Sequence, residues 1–469
     1  MTAARVFSCA RLAARVASLH VTQKPGVVVI AEATAAIEES APDAGPTVLH
    51  DCADAEAYVA SVCFKHGPPR LVGVELEWLL HTADRPDLPV DVAVLVAALG
   101  PHTPTSLEPH SPARPLPGGS TVTVEPGGQI ELASPPLPDL AALLSTVRAD
   151  TGVLHGLLAA CGLRPEPRAA DPLRPPARVL DLPRYRAMEQ AFDRHGPRGR
   201  SAMCSTAAVQ VCVDAGAGAD VARRWSAAHA LGPVLLAAFA NSPRLHGRRT
   251  DWKSSRWASW LWSEPARTAP PSVADVETAD PAAAWARRVV ASPVLCVRRD
   301  GEWLVPEGVT FADWVCGALP GPLPTTADLD YHVSTLFPPV RPHGHLEVRY
   351  VDMQAGRGWA LPTAVLTALL SDPEAIDRTR EACEPARDRW VSAARHGLDD
   401  RVLAVAAARV FELALARLPA VGAPGWLVDD LTVMTERQVL RGLCPADLPE
   451  PPVSEAHGPE SEIPEGDTA

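Results

Sequence analysis

Four short stretches of the chain alternate apolar and polar residues at every second position. Such alternation predicts strands with one buried face, because successive side chains of a strand point to opposite sides. The stretches are residues 72–80, 121–134, 207–214 and 345–352. The second contains Pro126, Gly127 and Gly128, which predict the turn of a hairpin. The four stretches are therefore expected to form a sheet with one apolar and one polar face.

Apolar residues that recur every three or four positions predict helices between and after these strands. The predicted helices cover residues 51–67, 91–99, 137–163, 184–195 and 219–240, and residues 361–443 are expected to be helical throughout. Residues 196–200 (GPRGR) predict a mobile, basic loop, residues 241–262 predict a turn-rich loop, and residues 263–340 permit no assignment. Strands mixed with helices first and helices alone afterwards favour the α+β class with a mainly antiparallel sheet.

The polar face of the predicted sheet is unusually acidic. It carries Glu75, Glu77, Glu125, Glu131 and Glu347. Carboxylates that share a face repel one another, so their presence within otherwise apolar strands predicts bound cations. Histidine and cysteine, the usual zinc ligands, are missing at these positions. Oxygen ligands instead fit two or three Mg²⁺ ions, or Mn²⁺.

Clustered Mg²⁺ ions imply phosphate groups, because Mg²⁺ in proteins usually bridges to phosphoryl oxygens of a substrate. Arg349 stands two residues from Glu347 on the same face, where it can stabilise charge on a transferring phosphoryl group. Gln210 stands on the polar face as well. Neither a P-loop motif nor a Rossmann glycine motif is present, so neither would hold the nucleotide. These residues favour a metal- and phosphate-dependent enzyme.

Simpler interpretations of the same residues remain open. An isolated Glu-x-Glu on a strand is most often a solvated edge, and Glu347 with Arg349 can be an ordinary surface pair. The loop of residues 241–262 is rich in Arg and Trp, which is also typical of packing or of an interface. Several acidic strands occur in one chain, and together they argue against these simpler interpretations more strongly than a single strand would.

Charge along the chain predicts three regions. The sequence contains 43 Lys and Arg against 56 Asp and Glu, for a net charge of −13, and seven of the acids lie in residues 446–469 without a single Lys or Arg. Residues 1–47 are expected to be a disordered extension, residues 48–445 a single catalytic domain, and residues 446–469 a disordered, dispensable acidic tail. This charge does not suggest a nucleic-acid partner, and no apolar run is long enough to span a membrane.

The ten cysteines form no CxxC pair and have no short metal spacing. Several lie in apolar strand-like runs, where a free thiol behaves as a small hydrophobic group. The pattern predicts free thiols in a reducing compartment, and hence a cytoplasmic protein.

Five motifs, taken in order, resemble the second family of glutamate–cysteine ligases, which plants and many bacteria share. The motifs are GVELEW, EPGGQIELAS, RGRSAMCSTAAVQVCVD, NSPRLHGRRTDWKSSRW and HLEVRYVD. The resemblance runs from about residue 48 to residue 440 and is greatest to the actinobacterial members that supply ergothioneine synthesis. It implies a glutamine-synthetase-like carboxylate–amine ligase fold: a curved antiparallel sheet, helices outside, and a concave face that binds metal ions, ATP and glutamate.

The resemblance also implies roles for individual residues. The Mg²⁺ ligands would be Glu75, Glu77, Glu125, Glu131 and Glu347. Arg349 would contact ATP phosphate and an acyl phosphate, and Gln210 stands where some relatives carry a histidine that faces metal or nucleotide. Arg256 would hold the α-carboxylate of glutamate, with Trp252 as a wall of that pocket.

The resemblance says less about the roles of two further residues, Arg200 and Asp251. Arg200 would contact phosphate or substrate. Asp251 stands where many relatives have glycine before the aromatic residue, so the local shape of that loop departs from the family pattern. The residues that would receive cysteine are not identified.

The activity implied by the resemblance has two steps. ATP phosphorylates the γ-carboxylate of L-glutamate, and the amine of L-cysteine then attacks the γ-glutamyl phosphate, which releases phosphate. No protein nucleophile takes part, so no cysteine residue is expected to be catalytic. The alternatives are a ligase that joins glutamate to another amine and a non-catalytic relative that senses glutamate or nucleotide.

Overall fold

The computed structural model describes residues 45–449. The predicted N-terminal extension up to residue 44 and the acidic tail from residue 450 lie outside the described residues. In the described part, the structure is mixed helix and antiparallel sheet, as expected for the α+β class.

The main sheet has six antiparallel strands in the order β3-β4-β1-β6-β10-β9. These strands are β1 (Val72–Trp78), β3 (Thr121–Val124), β4 (Ile130–Ala133), β6 (Ala208–Val213), β9 (Val340–Pro342) and β10 (Leu346–Asp352). Two small antiparallel pairs complete the strands: β2 (Leu80–Thr82) with β5 (Leu163–Pro165), and β7 (Arg244–Leu245) with β8 (Arg248–Arg249). The four predicted strands thus lie side by side, and the predicted hairpin is the pair β3–β4.

Helices precede, interrupt and follow the sheet. The first seven are α1 (Cys52–Cys63), α2 (Val92–Leu99), α3 (Leu140–Ala160), α4 (Pro183–Asp193), α5 (Arg198–Cys204), α6 (Asp220–Ala238) and α7 (Ser255–Leu261). The next five are α8 (Pro265–Thr268), α9 (Val273–Val276), α10 (Pro281–Ala291), α11 (Phe311–Val315) and α12 (Thr326–Val333). The C-terminal five are α13 (Ala360–Leu369), α14 (Pro373–Cys383), α15 (Trp390–His396), α16 (Arg401–Arg417) and α17 (Gly425–Arg437). None of the helices in residues 45–449 is long and apolar enough to cross a membrane.

The apolar face of the sheet forms the centre of the core. Leu76 on β1 and Val348 on β10 are completely buried, as expected from their place in the alternating pattern. The almost wholly buried helix α6 packs against β10, where the hydroxyl of Tyr350 donates a hydrogen bond of 3.0 Å to the carbonyl oxygen of Ala228. With its apolar face covered in this way, the sheet presents only its polar face to a cavity.

Two predictions of irregular structure are wrong. Residues 196–200 do not form a mobile loop, because α5 begins at Arg198 and Gly199 packs directly on Phe192 of α4. A Cβ atom at Gly199 would lie 2.3 Å from the Cβ of Phe192, so the glycine permits close helix packing here. Residues 241–262 contain the strand pair β7–β8 and the helix α7, which Ser254 caps by accepting a hydrogen bond from the amide of Trp257.

The cysteine prediction holds at eight described residues and fails at one. The free thiols belong to Cys52, Cys63, Cys204, Cys212, Cys296, Cys316, Cys383 and Cys444. Cys161 is instead disulfide-bonded, so the expectation of free thiols throughout is wrong there.

The folded chain continues past residue 445, the predicted end of the domain. The amide of Ala446 donates a 2.9 Å hydrogen bond to the carbonyl oxygen of Ala240, and Asp447 forms an ion pair with Lys253. Cys444 and Ala446 are buried together with Ala240. These contacts fasten the C-terminal segment to the loop that precedes α7.

We expect that a chain ending at residue 449 keeps the thermal midpoint of the full protein, since it retains these contacts. A chain ending at residue 443 should unfold about 2–4 °C lower, because it loses the buried Cys444 and Ala446 and the ion pair of Asp447. Scanning calorimetry of both truncations measures the difference, with Asp447→Asn as the control for the ion pair alone. Equal midpoints for the two truncations would contradict this account of the C-terminal contacts.

Candidate active site

A cavity of about 380 Å³ opens against the polar face of the sheet. Seven of the predicted site residues line it: Glu75, Glu77, Glu125, Glu131, Glu347, Gln210 and Arg349. Strand pairing brings them together, because Glu77 lies opposite Glu131 and Glu75 lies opposite Gln210 in the register of the sheet. Residues that are far apart in the sequence therefore converge on one site.

Two other predicted residues lie elsewhere. The side chain of Arg200 is 44% exposed and forms a two-point ion pair with Asp193, at 2.5 and 2.6 Å. Trp252 packs edge-on against Trp262, with a centroid distance of 5.2 Å, and Arg395 covers its ring. Neither Arg200 nor Trp252 lines the cavity.

Arg256 is buried beside the cavity without being part of its lining. Its Nη2 atom donates to the carbonyl oxygen of Arg349 at 2.8 Å, and its Nη1 atom lies 3.7 Å from Oδ1 of Asp352. The Nε and Nη1 atoms have no hydrogen-bond partner. Burial lowers the pKa of Arg256, and the charges of Asp352 and Glu77 oppose this effect. A buried guanidinium with unsatisfied nitrogens is costly, so these atoms are suited to receive an anion.

The carboxylate of Asp352 fixes the loop that precedes α7, the helix that carries Arg256. Its hydrogen-bond donors are the amide of Asn241 and the hydroxyls of Ser242 and Ser254, at 2.7–2.8 Å. The hydroxyl of Ser242 also accepts from the amide of Arg256 at 3.1 Å. The end of β10 and the start of α7 are thereby held together next to the cavity.

Among the cavity residues that sequence reasoning missed are Arg184, Trp260 and Arg341. Arg184 on α4 is oriented by Ser334, to whose hydroxyl and carbonyl oxygens it donates at 3.0 and 2.9 Å. Arg184 and Trp260 lie on helices, and no local pattern shows that these helices face the sheet. Arg341 could have been found, because the short β9–β10 connection places it opposite Glu347.

Two of the cavity carboxylates accept hydrogen bonds from their neighbours. Glu77 accepts from the amide of Ala208 at 2.9 Å and from Nε2 of Gln210 at 2.7 Å. Glu131 accepts from the hydroxyl of Thr123 at 2.6 Å. These contacts fix the directions of the carboxylates but do not neutralise their charge.

Burial raises the pKa values of the four carboxylates on β1 and the β3–β4 hairpin. Burial first, and then the charge of a neighbouring carboxylate, raise the pKa of Glu75 and that of Glu77 to about 7. Burial also raises the pKa of Glu125, and the pKa of Glu131 rises well above its usual value. Each of these groups is thus held back from ionising by burial, and three of them also by the charges of their neighbours.

The pKa of Glu347 is shifted in the opposite direction, below its usual value. Burial would raise its pKa, but the charges of Arg341 and then of Arg349 lower the pKa to about 2. Arg341 donates to both carboxylate oxygens, at 2.6 and 3.0 Å, and Arg349 donates to Oε1. Glu347 is therefore ionised and neutralised by arginine.

Charge is separated across the cavity face of the sheet. The four carboxylates with raised pKa values lie on β1, on β4 and at the end of β3, while Arg341 and Arg349 lie on β9 and β10 at the other edge. Between them, β6 contributes the uncharged side chain of Gln210. This arrangement suits a ligand that is cationic at one end and anionic at the other.

The carboxylates are ligands of the type that Mg²⁺ prefers, but they are not grouped around one point. In the part of the chain that the structure describes, no three His, Cys, Asp or Glu side chains are already grouped to hold a metal ion. The four mutually repelling carboxylates and the unpartnered, buried Oε1 atom of Gln210 are nevertheless hard oxygen donors. The expectation that histidine is missing here is wrong, because His343 and His345 also line the cavity.

The family model described as glutamate–cysteine ligase family 2 matches residues 71–448 of the chain. A protein of Mycobacterium tuberculosis named glutamate–cysteine ligase EgtA is 40% identical over 424 residues, which cover 88% of this chain and 93% of that protein. The protein of the same name from Mycolicibacterium smegmatis is 39% identical over 406 residues, covering 86% and 92% of the two chains.

More distant relatives include a chloroplastic glutamate–cysteine ligase of Brassica juncea, which is 28% identical over 61% of this chain and 55% of its own. Among solved structures, a glutamate–cysteine ligase of Francisella tularensis in complex with AMP covers 82% of this chain and 84% of its own. It has 13% sequence identity and a TM-score of 0.48, an overlap too loose to assign a fold.

The raised pKa values predict a stability that depends on pH and metal. Without metal, the folded protein binds more protons than the unfolded chain between the usual carboxylate pKa and about 7, the value reached by Glu75 and Glu77. The free energy of unfolding should therefore fall as the pH rises through this window. Mg²⁺ should bind the ionised carboxylates, release protons and remove the decline.

Thermal midpoints at pH 5.5, 6.5 and 7.5, with EDTA or with Mg²⁺, measure this effect. Calorimetric titration of Mg²⁺ in two buffers of different ionisation enthalpy counts the released protons. Glu75→Gln should release fewer protons than the wild type, whereas Glu302→Gln, outside the cavity, should not differ from it. A Mg²⁺ titration at pH 6.5 without proton release would contradict the interpretation.

Proposed function

The chain belongs to family 2 of the glutamate–cysteine ligases, and we propose that the cavity against the sheet is its active site. The protein joins the γ-carboxylate of L-glutamate to the amine of L-cysteine and so forms γ-glutamylcysteine. ATP is the co-substrate, and it leaves as ADP and phosphate. The separation of charge across the sheet is the observation that supports this site, because the reaction brings a carboxylate together with a metal-bound polyphosphate.

The acidic half of the cavity is proposed to hold Mg²⁺. The ligands would be Glu75, Glu77, Glu125 and Glu131, with Gln210 beside them. Bound there, Mg²⁺ would neutralise the carboxylates and the polyphosphate and would polarise the transferring phosphoryl group. Both oxygens of Glu347 already accept from arginine. Glu347 would therefore join the ligands only when an arginine releases it.

The arginines at the other edge are proposed to hold the phosphoryl group. Arg349 faces the cavity from β10 and would offset the negative charge that develops as the γ-carboxylate oxygen of glutamate attacks the γ-phosphorus of ATP. ADP departs, and an acyl phosphate remains. The nitrogen of cysteine then attacks the acyl carbon, the C–O bond to phosphate breaks, and the amine loses a proton. Positioning and charge neutralisation supply the catalysis, without a covalent bond to the protein.

Glutamate is proposed to lie at the Glu77 end of the cavity. The two unpartnered, buried nitrogens of Arg256 support a contact with its α-carboxylate. Arg184 provides a second oriented cation in the cavity wall, and Trp260 provides an apolar surface. Trp252 and Arg200 line no part of this cavity, so any contact of theirs with substrate requires a movement of the segments that carry them.

The finer parts of the proposal concern the fold and the pathway. A glutamine-synthetase-like curved sheet is supported by the six antiparallel strands with one apolar and one polar face. Supply of an ergothioneine pathway is supported by the sequence resemblance to the actinobacterial members of the family. A cytoplasmic location is supported by the eight free thiols of the described residues.

Product analysis by mass spectrometry tests the function. Purified protein with ATP, Mg²⁺, glutamate and cysteine should form γ-glutamylcysteine and ADP. Glu77→Gln and Arg349→Ala should each lower kcat by about 100-fold or more, because each removes charge stabilisation that the transition state needs. Arg200→Gln serves as the comparison, since its side chain points away from the cavity.

The other outcomes distinguish the alternatives. A preference for another amine in a panel of amino acids would keep the site and change the acceptor. Nucleotide binding without turnover would favour the sensing relative and would overturn the ligase assignment.

A further inference from the structure

Arg341 holds Glu347 more completely than Arg349 does. It lies on the edge strand β9, directly opposite Glu347 of β10 in the strand register. Its Nε atom donates to Oε2 at 2.6 Å and its Nη2 atom to Oε1 at 3.0 Å, so guanidinium and carboxylate meet edge to edge. Arg349 reaches the same carboxylate through Nη1 alone. The fork of Arg341 therefore determines the plane in which the carboxylate lies.

The backbone of Arg349 is fixed independently of this cluster. Its amide donates to the carbonyl oxygen of Pro339 at 2.9 Å, and its carbonyl oxygen accepts from Arg256 at 2.8 Å. The hydrogen bond that directs its guanidinium goes to the carboxylate of Glu347, and the charges of Glu77 and Glu75 attract it from the cavity side. The carboxylate of Glu347 is 2% exposed, so water replaces its two arginines poorly.

The three side chains together carry one net positive charge, and all three line the cavity. If Arg341 were absent, both edges of the Glu347 carboxylate would be open to Arg349. An arginine beside a buried, otherwise unpaired carboxylate is expected to form the two-point contact itself. Its donors would then turn away from the cavity, and the net charge of the cluster would fall to zero.

We propose that Arg341 is a positioning residue for phosphoryl transfer, because it occupies Glu347 and so keeps the donors of Arg349 directed at the phosphoryl group. This inference rests on the proposed function, in which Arg349 contacts the phosphate of ATP and of the acyl phosphate. Arg341 acts through Glu347 and has no need to touch the substrate. Lysine cannot replace it fully, since an ammonium group cannot engage both carboxylate oxygens in one plane.

Steady-state kinetics of Arg341→Gln and Arg341→Lys test the proposal. We expect Arg341→Gln to lower kcat by about 100-fold, with the KM for glutamate changed by less than about threefold, and Arg341→Lys to recover part of the loss. Guanidinium ion at constant ionic strength should partly restore Arg341→Ala, whereas methylammonium should not. A residue needed only for folding would show neither the split between kcat and KM nor this rescue.

A double-mutant cycle with Glu347→Gln tests whether Arg341 acts through Glu347. If it does, the double variant should be no more than about threefold slower than the slower single variant. Arg357→Gln is the matched control, because Arg357 makes the same two-point contact with Asp430, at 2.8 and 2.9 Å, outside the cavity. It should leave kcat unchanged.

Failure of the inference can be told from failure of the function. A wild-type enzyme that makes γ-glutamylcysteine, with Arg341→Gln equally fast or with independent losses in the double variant, would overturn the role of Arg341 alone. If the wild type makes no product, calorimetric binding of a non-hydrolysable ATP analogue replaces kinetics. Arg341→Gln should then bind at least about tenfold more weakly than the wild type, and equal binding would overturn the inference.

Discussion

Burial of four carboxylates on one sheet face, together with repulsion among them, is the constraint on which the rest of the site depends. Glu75, Glu77, Glu125 and Glu131 lie on neighbouring strands, and their raised pKa values express the free energy that opposes their ionisation. A fold that served stability alone would not gather them there. Bound cations would offset this cost, which supports the proposal that the site takes a metal-bound polyphosphate.

The arginines at the opposite edge complete this electrostatic arrangement. Gln210 of β6 lies between them and the acidic half. Glu347, beside the arginines, is the one carboxylate of the five whose pKa falls, because two guanidiniums surround it. The sheet therefore presents acids, a neutral strand and cations in sequence from β3 to β9. Such a gradient orients a ligand with two differently charged ends before any side chain moves, which lowers the reorganisation needed during reaction.

The surrounding helices and loops hold this face in place from behind. Asp352 gathers the loop before α7, Arg256 reaches from α7 to the backbone of Arg349, and Lys253 links the same loop to Asp447 near the C-terminus. Segments more than 190 positions apart thus meet behind this face of the sheet. The C-terminal helices extend the core, and their last contacts also support the loop beside the cavity.

The sequence alone determined five of the six strands of the main sheet, the class of the fold and seven cavity residues, because a period of two assigns each side chain to a face without knowledge of its partners. It did not predict β9 or the short pairs β2–β5 and β7–β8. Family motifs added the chemistry. Local patterns did not reveal α5, because Gly and Pro in GPRGR resemble a loop until Gly199 is seen against Phe192. Only the tertiary structure decided that Arg184 and Trp260 line the cavity and that Arg256 is buried. Which helix covers a sheet, and which charges then meet without water, depends on contacts between distant segments that no local periodicity records.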